Sequence, residues 1–367
     1  MKKLLSVSVC LLFTILLSAQ LTTAPNGGNK KAFVGERIGI TDVMINYSRP
    51  GVKGREGKIW GDLVHVGFID QGFGTSKAAP WRAGANENTT IEFSTDVKVE
   101  GKFLAAGKYG LFIAYDAASP TVIFSKNSNS WGSYFYDAKE DALRIQVQAQ
   151  MSDKSVEWLK YEFTNQTPTS ATIAMMWEKL IVPFKVEVDY VPLQMETFRN
   201  ELRTDKGFRW NAWNQAAGFA LQNNTNLEEA LIWADKSVNE PGIGEKNFQT
   251  LSTKAAILSK LNRQAEADSA MKEAMPLANM NQLHAYARQL LQQKRNKEAY
   301  EVFKKNYDKY PNQFTTNMGM VRGYSAIGNY KKSLEFAQKA LPQAPDKLNK
   351  DNIEKMIVTL KEGKDVN

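Results

Sequence analysis

From Arg37 to about Asp189 apolar and polar residues tend to alternate. Ile38, Ile40, Val43, Ile45 and Tyr47 open the pattern, and Thr90-Ile91-Glu92-Phe93 and Val97-Lys98-Val99 continue it. A period of two gives a strand one buried and one wet face. Further strand-like runs fall at residues 109–115, 121–125, 143–147, 155–163, 171–177 and 184–188. Turn-rich pieces such as Val99-Glu100-Gly101-Lys102 and residues 116–120 and 127–130 separate them. About eight short strands with no long helix between them predict an antiparallel β-sandwich, jelly-roll-like, over residues 30–192.

Beyond Pro192 the period becomes 3.6, and Ala, Leu, Gln and Lys dominate, so a domain boundary is expected near residues 191–198. Four small residues, each directly after a charged one, recur as Ala230, Ala267, Ala299 and Ser333, spaced 37, 32 and 34 residues apart. Ala234, Met271, Phe303 and Ala337 lie four residues after these anchors, and Ser237, Ala274, Asn306 and Ala340 seven after. Gly218, Ala255, Ala287 and Val321 lie twelve before, while Pro311 and Pro345 lie twelve after and are expected to end the second helix of their units. This register resembles tetratricopeptide repeats. The third and fourth units fit best, through Tyr324, Asn329-Tyr330 and Pro345; in the others Pro241 is one residue early and the first spacing is three residues long, and Val321 is large. The pattern predicts four repeats over residues 198–345 and a capping helix over 346–363, with Ile353, Met356, Ile357 and Leu360 on one face. The fold class is thus a multidomain chain, an antiparallel β-sandwich followed by an all-α tetratricopeptide-like array.

The start of the chain changes the expected location. Lys2 and Lys3 precede an uncharged, largely apolar stretch over residues 4–17, which ends in Ser18-Ala19-Gln20. That order predicts a secretory signal peptide over residues 1–19, cut between Ala19 and Gln20, and an exported protein, periplasmic or extracellular. The run is short for a membrane span, so none is expected after processing. The sole cysteine, Cys10, lies inside the run, leaving the processed chain without thiol or disulfide chemistry. Loss of Lys2 and Lys3 takes the formal charge from +8 to +6, with basic and acidic residues interspersed. Such mild basicity, without an arginine-rich tract, gives no indication of nucleic-acid binding.

Three phrases stand out in the first region: Ser48-Arg49-Pro50-Gly51-Val52-Lys53-Gly54-Arg55, Trp81-Arg82-Ala83-Gly84-Ala85-Asn86-Glu87-Asn88-Thr89-Thr90, and Leu104-Ala105-Ala106-Gly107-Lys108-Tyr109-Gly110-Leu111-Phe112. With Val122-Ile123-Phe124, Trp131-Gly132 and Tyr136-Asp137, they resemble the exported bacterial family called domain of unknown function 2911 over roughly residues 37–189. The resemblance implies export and a β-rich fold, and it implies no activity or substrate. Residues 66–79 lengthen the connection before Trp81 relative to that family, and Gly67, Gly72 and Gly74 predict a mobile loop there.

Enzymatic signatures are weak. The segment Gly51 to Ile59 has five residues between Gly51 and Gly57, and Ile59 stands where a phosphate loop needs Ser or Thr. Only His65 and His284 are available as histidine ligands, in different domains, so no zinc site and no cofactor are expected; an all-oxygen calcium site stays open. No Gly-x-Ser-x-Gly elbow occurs. Paired carboxylates drawn from Asp62, Asp70, Glu87 and Glu92 are the remaining hydrolytic option, as in a carbohydrate-active enzyme.

The more economical candidate is a binding cluster of Arg49, Lys53, Arg55, Arg82, Asn86 and Glu87 with Trp60, Trp81 and Trp131. Guanidinium forks and an amide can hold carboxylate or hydroxyl groups while indole faces stack on a sugar or peptide. The same residues also read as scaffold: tryptophan in the core, Asn86 in a turn, Arg82 paired with Glu87. Trp210, Trp213, Trp233, Tyr286, Tyr300 and Tyr307 read mainly as interhelix packing, although a stacked array leaves a concave groove for a peptide. The preferred reading is a non-enzymatic envelope protein, with a β-sandwich that takes a carbohydrate or peptide and an array that takes a protein partner; the alternative is a hydrolase.

Overall fold

The computed structural model describes residues 28–367. The signal-peptide pattern, its cut between Ala19 and Gln20, and Cys10 lie outside the described residues. The chain divides into two compact units between Leu193 and Gln194.

The first unit contains two antiparallel sheets. Strands β1 (Lys30–Ile38), β2 (Thr41–Arg49), β3 (Thr89–Phe93), β6 (Gly107–Ala114), β7 (Thr121–Ser125) and β8 (Asp141–Gln146) form one sheet in the order β1-β2-β3-β6-β7-β8. The other has the order β5-β4-β10-β9, from β4 (Val97–Val99), β5 (Lys102–Leu104), β9 (Gln150–Thr167) and β10 (Ser170–Glu187). One apolar core joins them: Ile45, Ile91, Leu111 and Phe124 come from the first sheet, and Leu159, Ile173, Trp177 and Phe184 from the second. In β2 the expected alternation is plain, with Val43, Ile45 and Tyr47 inward and Asp42, Met44 and Asn46 outward.

Three local expectations need correction. The run from Ile38 to Tyr47 is not one strand: Ile38 pairs with Thr41 across a two-residue turn led by Gly39 at φ +60°. Residues 171–177 and 184–188 are not separate strands but parts of the 18-residue β10. Its pairing with β9 stops at Ile181 and its pairing with β4 starts at Val186, so Pro183, which has no N–H to give, sits where neither ladder needs one. The third correction concerns β6, which is buried on both faces. Phe112 and Ala114 form a second small core with Ile123 and Tyr136, so the segment after Trp131 covers a face that alternation alone would leave wet.

The second unit is helical. Helix α1 (Tyr190–Glu201) starts before the division and earlier than the expected array; Pro192 lies in its first turn, where a missing N–H costs nothing. Four helix pairs follow: α2 (Trp210–Gln222) with α3 (Leu227–Asn239), α4 (Phe248–Lys260) with α5 (Gln264–Ala274), α6 (Met280–Gln292) with α7 (Asn296–Lys309), and α8 (Phe314–Ala326) with α9 (Tyr330–Ala340). The tetratricopeptide register holds through the array. Ala230, Ala299 and Ser333 are fully buried and Ala267 nearly so, as are Ser237, Ala274, Asn306 and Ala340 seven residues on. The first pair turns on two left-handed residues, Asn224 and Asn226, and the others on one each, Asn262, Lys294 and Gly328. Asn247 and Asn279 cap α4 and α6 through reciprocal bonds with Thr250 and Gln282. Pro345 does not end α9: that helix stops at Ala340 and passes into a 3-10 turn containing Pro342. Helix α10 (Lys347–Lys361), capped by Asp346, buries Ile353 and Leu360 against Val321, Ala337 and Ala340.

Candidate functional site

In the β unit a polar cleft lies on the outer face of β1, β2 and β3. Lys31, Asn46, Ser48, Glu87, Asn88, Thr90 and Ser128–Ser130 line it. Strand register places Lys31 opposite Ser48 and Asn46 opposite Thr90, so these side chains share one face. The wall is built by Asn88. Its amide donates to the Asn127 carbonyl at 3.2 Å and its carbonyl accepts from the Ser130 amide at 3.1 Å. Glu87 faces Lys31 at 2.7 Å and accepts a bond from the Ser48 hydroxyl. The Lys31 bond holds the Glu87 carboxyl below its ordinary range, against the opposing effect of burial. What results is one ion pair among hydroxyls and amides, an arrangement suited to hydrogen-bonding a polar ligand rather than to proton transfer.

Only part of the sequence-derived cluster assembles here. Asn86, left-handed at φ +60°, accepts from the Asn29 amide beside Glu87. Arg82 supports this corner: it donates to the Asn86 carbonyl at 3.0 Å and lies over the Tyr134 ring. Trp131, 59% exposed, is joined to Glu87 by backbone pairing. The others are elsewhere employed. Arg49 donates to the carbonyls of Leu159 and Trp158 in β9, and Arg55 to those of Val52 and Gly51 in its own loop, so both guanidinium groups are held by backbone. Lys53 lies over the Trp158 ring. Trp81 is buried, bonded to the Gly84 carbonyl and stacked on Trp177, with Trp60 edge-on to both. The cluster is therefore not one site. Arg82 and Glu87 do not pair as expected, since Glu87 takes Lys31.

Residues 66–79, expected as a mobile loop through Gly67, Gly72 and Gly74, carry backbone bonds of their own. Ile69 and Ala79 exchange backbone bonds, and the Ser76 amide donates to the Tyr134 carbonyl. Gly74 is required by that contact, because a Cβ there would sit 2.3 Å from the Tyr134 oxygen. The segment leaves Phe73, Phe68 and Ile69 exposed, with Phe73 against Tyr134 and Phe135.

Among the carboxylates considered for hydrolysis, Asp70 pairs with Lys77 at 3.0 Å, and Asp62 and Glu92 are exposed. The Gly72 amide, then Lys77, lower the Asp70 carboxyl. A general acid needs the opposite, a carboxyl kept protonated near neutral pH. Among the described residues no three His, Cys, Asp or Glu side chains gather as metal ligands. Also among them, no helix is long and apolar enough to cross a membrane.

In the helical unit a groove opens between the second and third repeats. Ser252, Ala256, Ser259 and Lys260 of α4 form one side, Tyr286 and Gln289 of α6 with Gln293 at its end the other, and Met271 and Ala267 of α5 also line it. The groove thus mixes amides and hydroxyls with apolar surface.

Residues 29–186 match the family described as protein of unknown function (DUF2911). The N-terminal unit resembles that family. No curated protein matches the chain. Among solved structures, YrrB, described as a TPR protein with an unusual peptide-binding site, is 18% identical, with a TM-score of 0.31, covering 45% of this chain and 84% of its own. A tetratricopeptide repeat protein from Parabacteroides merdae is 14% identical, with a TM-score of 0.33 and coverages of 47% and 70%. A mutant of MamA is 10% identical, with a TM-score of 0.30 and coverages of 42% and 82%.

The sequence pointed to Asn86, Glu87 and Trp131 and missed Lys31, Ser48, Asn88 and Ser130 of the cleft. Lys31 lies before the recognised phrases, and serine and asparagine in loops carry no distinctive pattern. Ser48 and Asn46 were legible in principle, as the outward positions of β2.

Proposed function

We propose that this chain is a binding and scaffold protein whose helical array receives a segment of a partner protein. The observation that supports this most directly is the groove between α4 and α6, bordered by Tyr286, Gln289, Gln293, Ser252 and Ser259 and set within a repeat register that stacks successive pairs. A photo-reactive residue in place of Gln289 should capture a protein from a cell extract, and the same residue in place of Lys305, exposed on α7, should not. An Ala256→Arg change, which crowds the groove, should abolish capture without altering the melt. Equal capture from both positions would refute the groove as the docking surface.

The polar cleft beside Glu87 serves, in this proposal, a second ligand bearing hydroxyl or amide groups, a carbohydrate or a peptide, with exposed Trp131 available for stacking. Isothermal titration with oligosaccharides and peptides tests this; heats unchanged by Asn46→Ala and Glu87→Gln would exclude the cleft. The protein is proposed to act outside the cytoplasm, in the periplasm or beyond. The supporting feature is the charged start and apolar run of residues 1–19.

A further inference from the structure

We propose that the first-helix face of the third and fourth repeats, centred on Arg288 and Arg322, binds an acidic peptide segment of the partner protein. The inference rests on the array being a peptide receptor and adds the charge of what it receives. Arg288 and Arg322 each lie eleven residues before their anchors, Ala299 and Ser333, so they occupy equivalent positions on α6 and α8. His284 precedes Arg288 by one helical turn and shares its face.

Neither arginine forms an ion pair among the described residues, whereas Arg199, Arg263 and Arg295 of the same unit each do. The two are close enough to repel: the Arg288 charge, second to burial, lowers Arg322, and both charges help to lower His284. Two guanidinium groups and the His284 imidazole, with the Asp365 carboxylate acting on Arg322, make a locus of net positive charge. An anion placed there removes the repulsion and gains charge-assisted hydrogen bonds.

The chain itself shows what kind of anion fits. After α10 the segment Asp365-Val366-Asn367 lies along α8. The Asp365 carboxylate accepts from the Ser325 hydroxyl, the Val366 amide donates to the same oxygen at 3.0 Å, and the Asn367 side chain donates to the Arg322 carbonyl at 3.1 Å. Asp365 is also the charge that partly offsets the depression of Arg322. An aspartate carried on peptide backbone thus already docks at the edge of this face, while Arg288 remains exposed and unpaired.

The test is fluorescence anisotropy of the full chain with a short fluorescein-labelled peptide of alternating glutamate and glycine, and with its glutamine counterpart, at fixed near-physiological salt. The glutamate peptide should bind at least about tenfold more tightly. Arg288→Gln and Arg322→Gln should each remove most of that preference, while Lys305→Gln, which removes the same charge from the exposed side of α7, should leave it. Arg288 is exposed, so its variant decides the matter even if Arg322→Gln fails to fold. Equal binding of both peptides would overturn the acidic ligand yet leave the array as a peptide receptor, whereas binding of neither would overturn both. Loss of the preference with Lys305→Gln would reduce the effect to general charge, and displacement by inorganic phosphate as readily as by unlabelled peptide would mark a small-anion site; either outcome refutes the proposal.

Discussion

Gly110 in β6 carries a packing demand that links the sandwich to its polar cleft. A Cβ at this position would lie 2.3 Å from the Asn127 carbonyl oxygen and 2.6 Å from the Asn88 amide nitrogen. Both are far inside contact distance, and the nearer atom is backbone, so Gly110→Ala must push the 126–131 segment away. Overpacking of this kind costs about 1–3 kcal/mol. The displaced segment also loses the two bonds by which Asn88 holds Asn127 and Ser130, each contributing about 1 kcal/mol. A total of about 3–5 kcal/mol lowers the midpoint of a unit of this size by about 6–20 °C. Gly218 in α2 provides the opposite case. Nothing lies within 4 Å of its Cβ position, so Gly218→Ala should stabilise the helical unit by about 0.5–1 kcal/mol through helix propensity. Calorimetry of the two variants, with hydrogen exchange at the Ser130 amide, reads both effects. A Gly110→Ala midpoint within about 1 °C of the parent, with Ser130 still protected, would refute the packing argument.

Four further outcomes are expected. Ala299→Leu, at a fully buried anchor, should cost about 1–3 kcal/mol, and Lys297→Leu, on the exposed side of the same helix, about 0.5 kcal/mol or less; equal denaturant midpoints would show the repeat register to be wrong. Burial, then the Arg322 and Arg288 charges, hold His284 down to about 4 from an ordinary 6.5. The unfolded chain therefore takes up the proton first, and stability present above pH 6.5 drains as pH falls toward 4; urea melts across that window should show a slope that His284→Gln reduces. Intact-mass analysis of protein from an exporting host should give a chain starting at or near Gln20, and a secreted form retaining Met1 would remove the processing proposal. Fragments 20–192 and 193–367 should each melt cooperatively, β-rich and helical respectively; loss of cooperative melting in both would contradict independent units.

How far the sequence discloses this molecule depends on the range of the interaction. Alternation in β2 and the 3.6 period of the repeats are local, because each follows from which side of one element meets apolar neighbours. The turn at Gly39 was obscured because Ile40 continued the apolar pattern across it. The union of 171–177 with 184–188 depended on two different strands meeting β10 on either side of Pro183. No pattern within β10 records that. Burial of Phe112 on the outer side of β6 likewise depends on Tyr136 arriving from a later segment.

The arginines make the same distinction at the level of function. Arg49, Arg55 and Arg82 attracted attention because they sit in distinctive phrases beside tryptophan and glycine, and each donates to backbone carbonyls, Arg49 to strand β9 and Arg55 and Arg82 to loops. Their phrases are distinctive because a loop of fixed shape needs a donor of fixed reach, which is a requirement of architecture. Arg288 and Arg322 sit in unremarkable helical sequence, and only their equivalent offsets from Ala299 and Ser333 bring them onto one face. A guanidinium already bonded to carbonyl oxygens has little left to offer a ligand, whereas two that repel and have only Asp365 acting on one of them gain from a further counter-charge. The conspicuous arginines therefore hold the β unit together, and the inconspicuous pair is where an acidic partner has most to contribute.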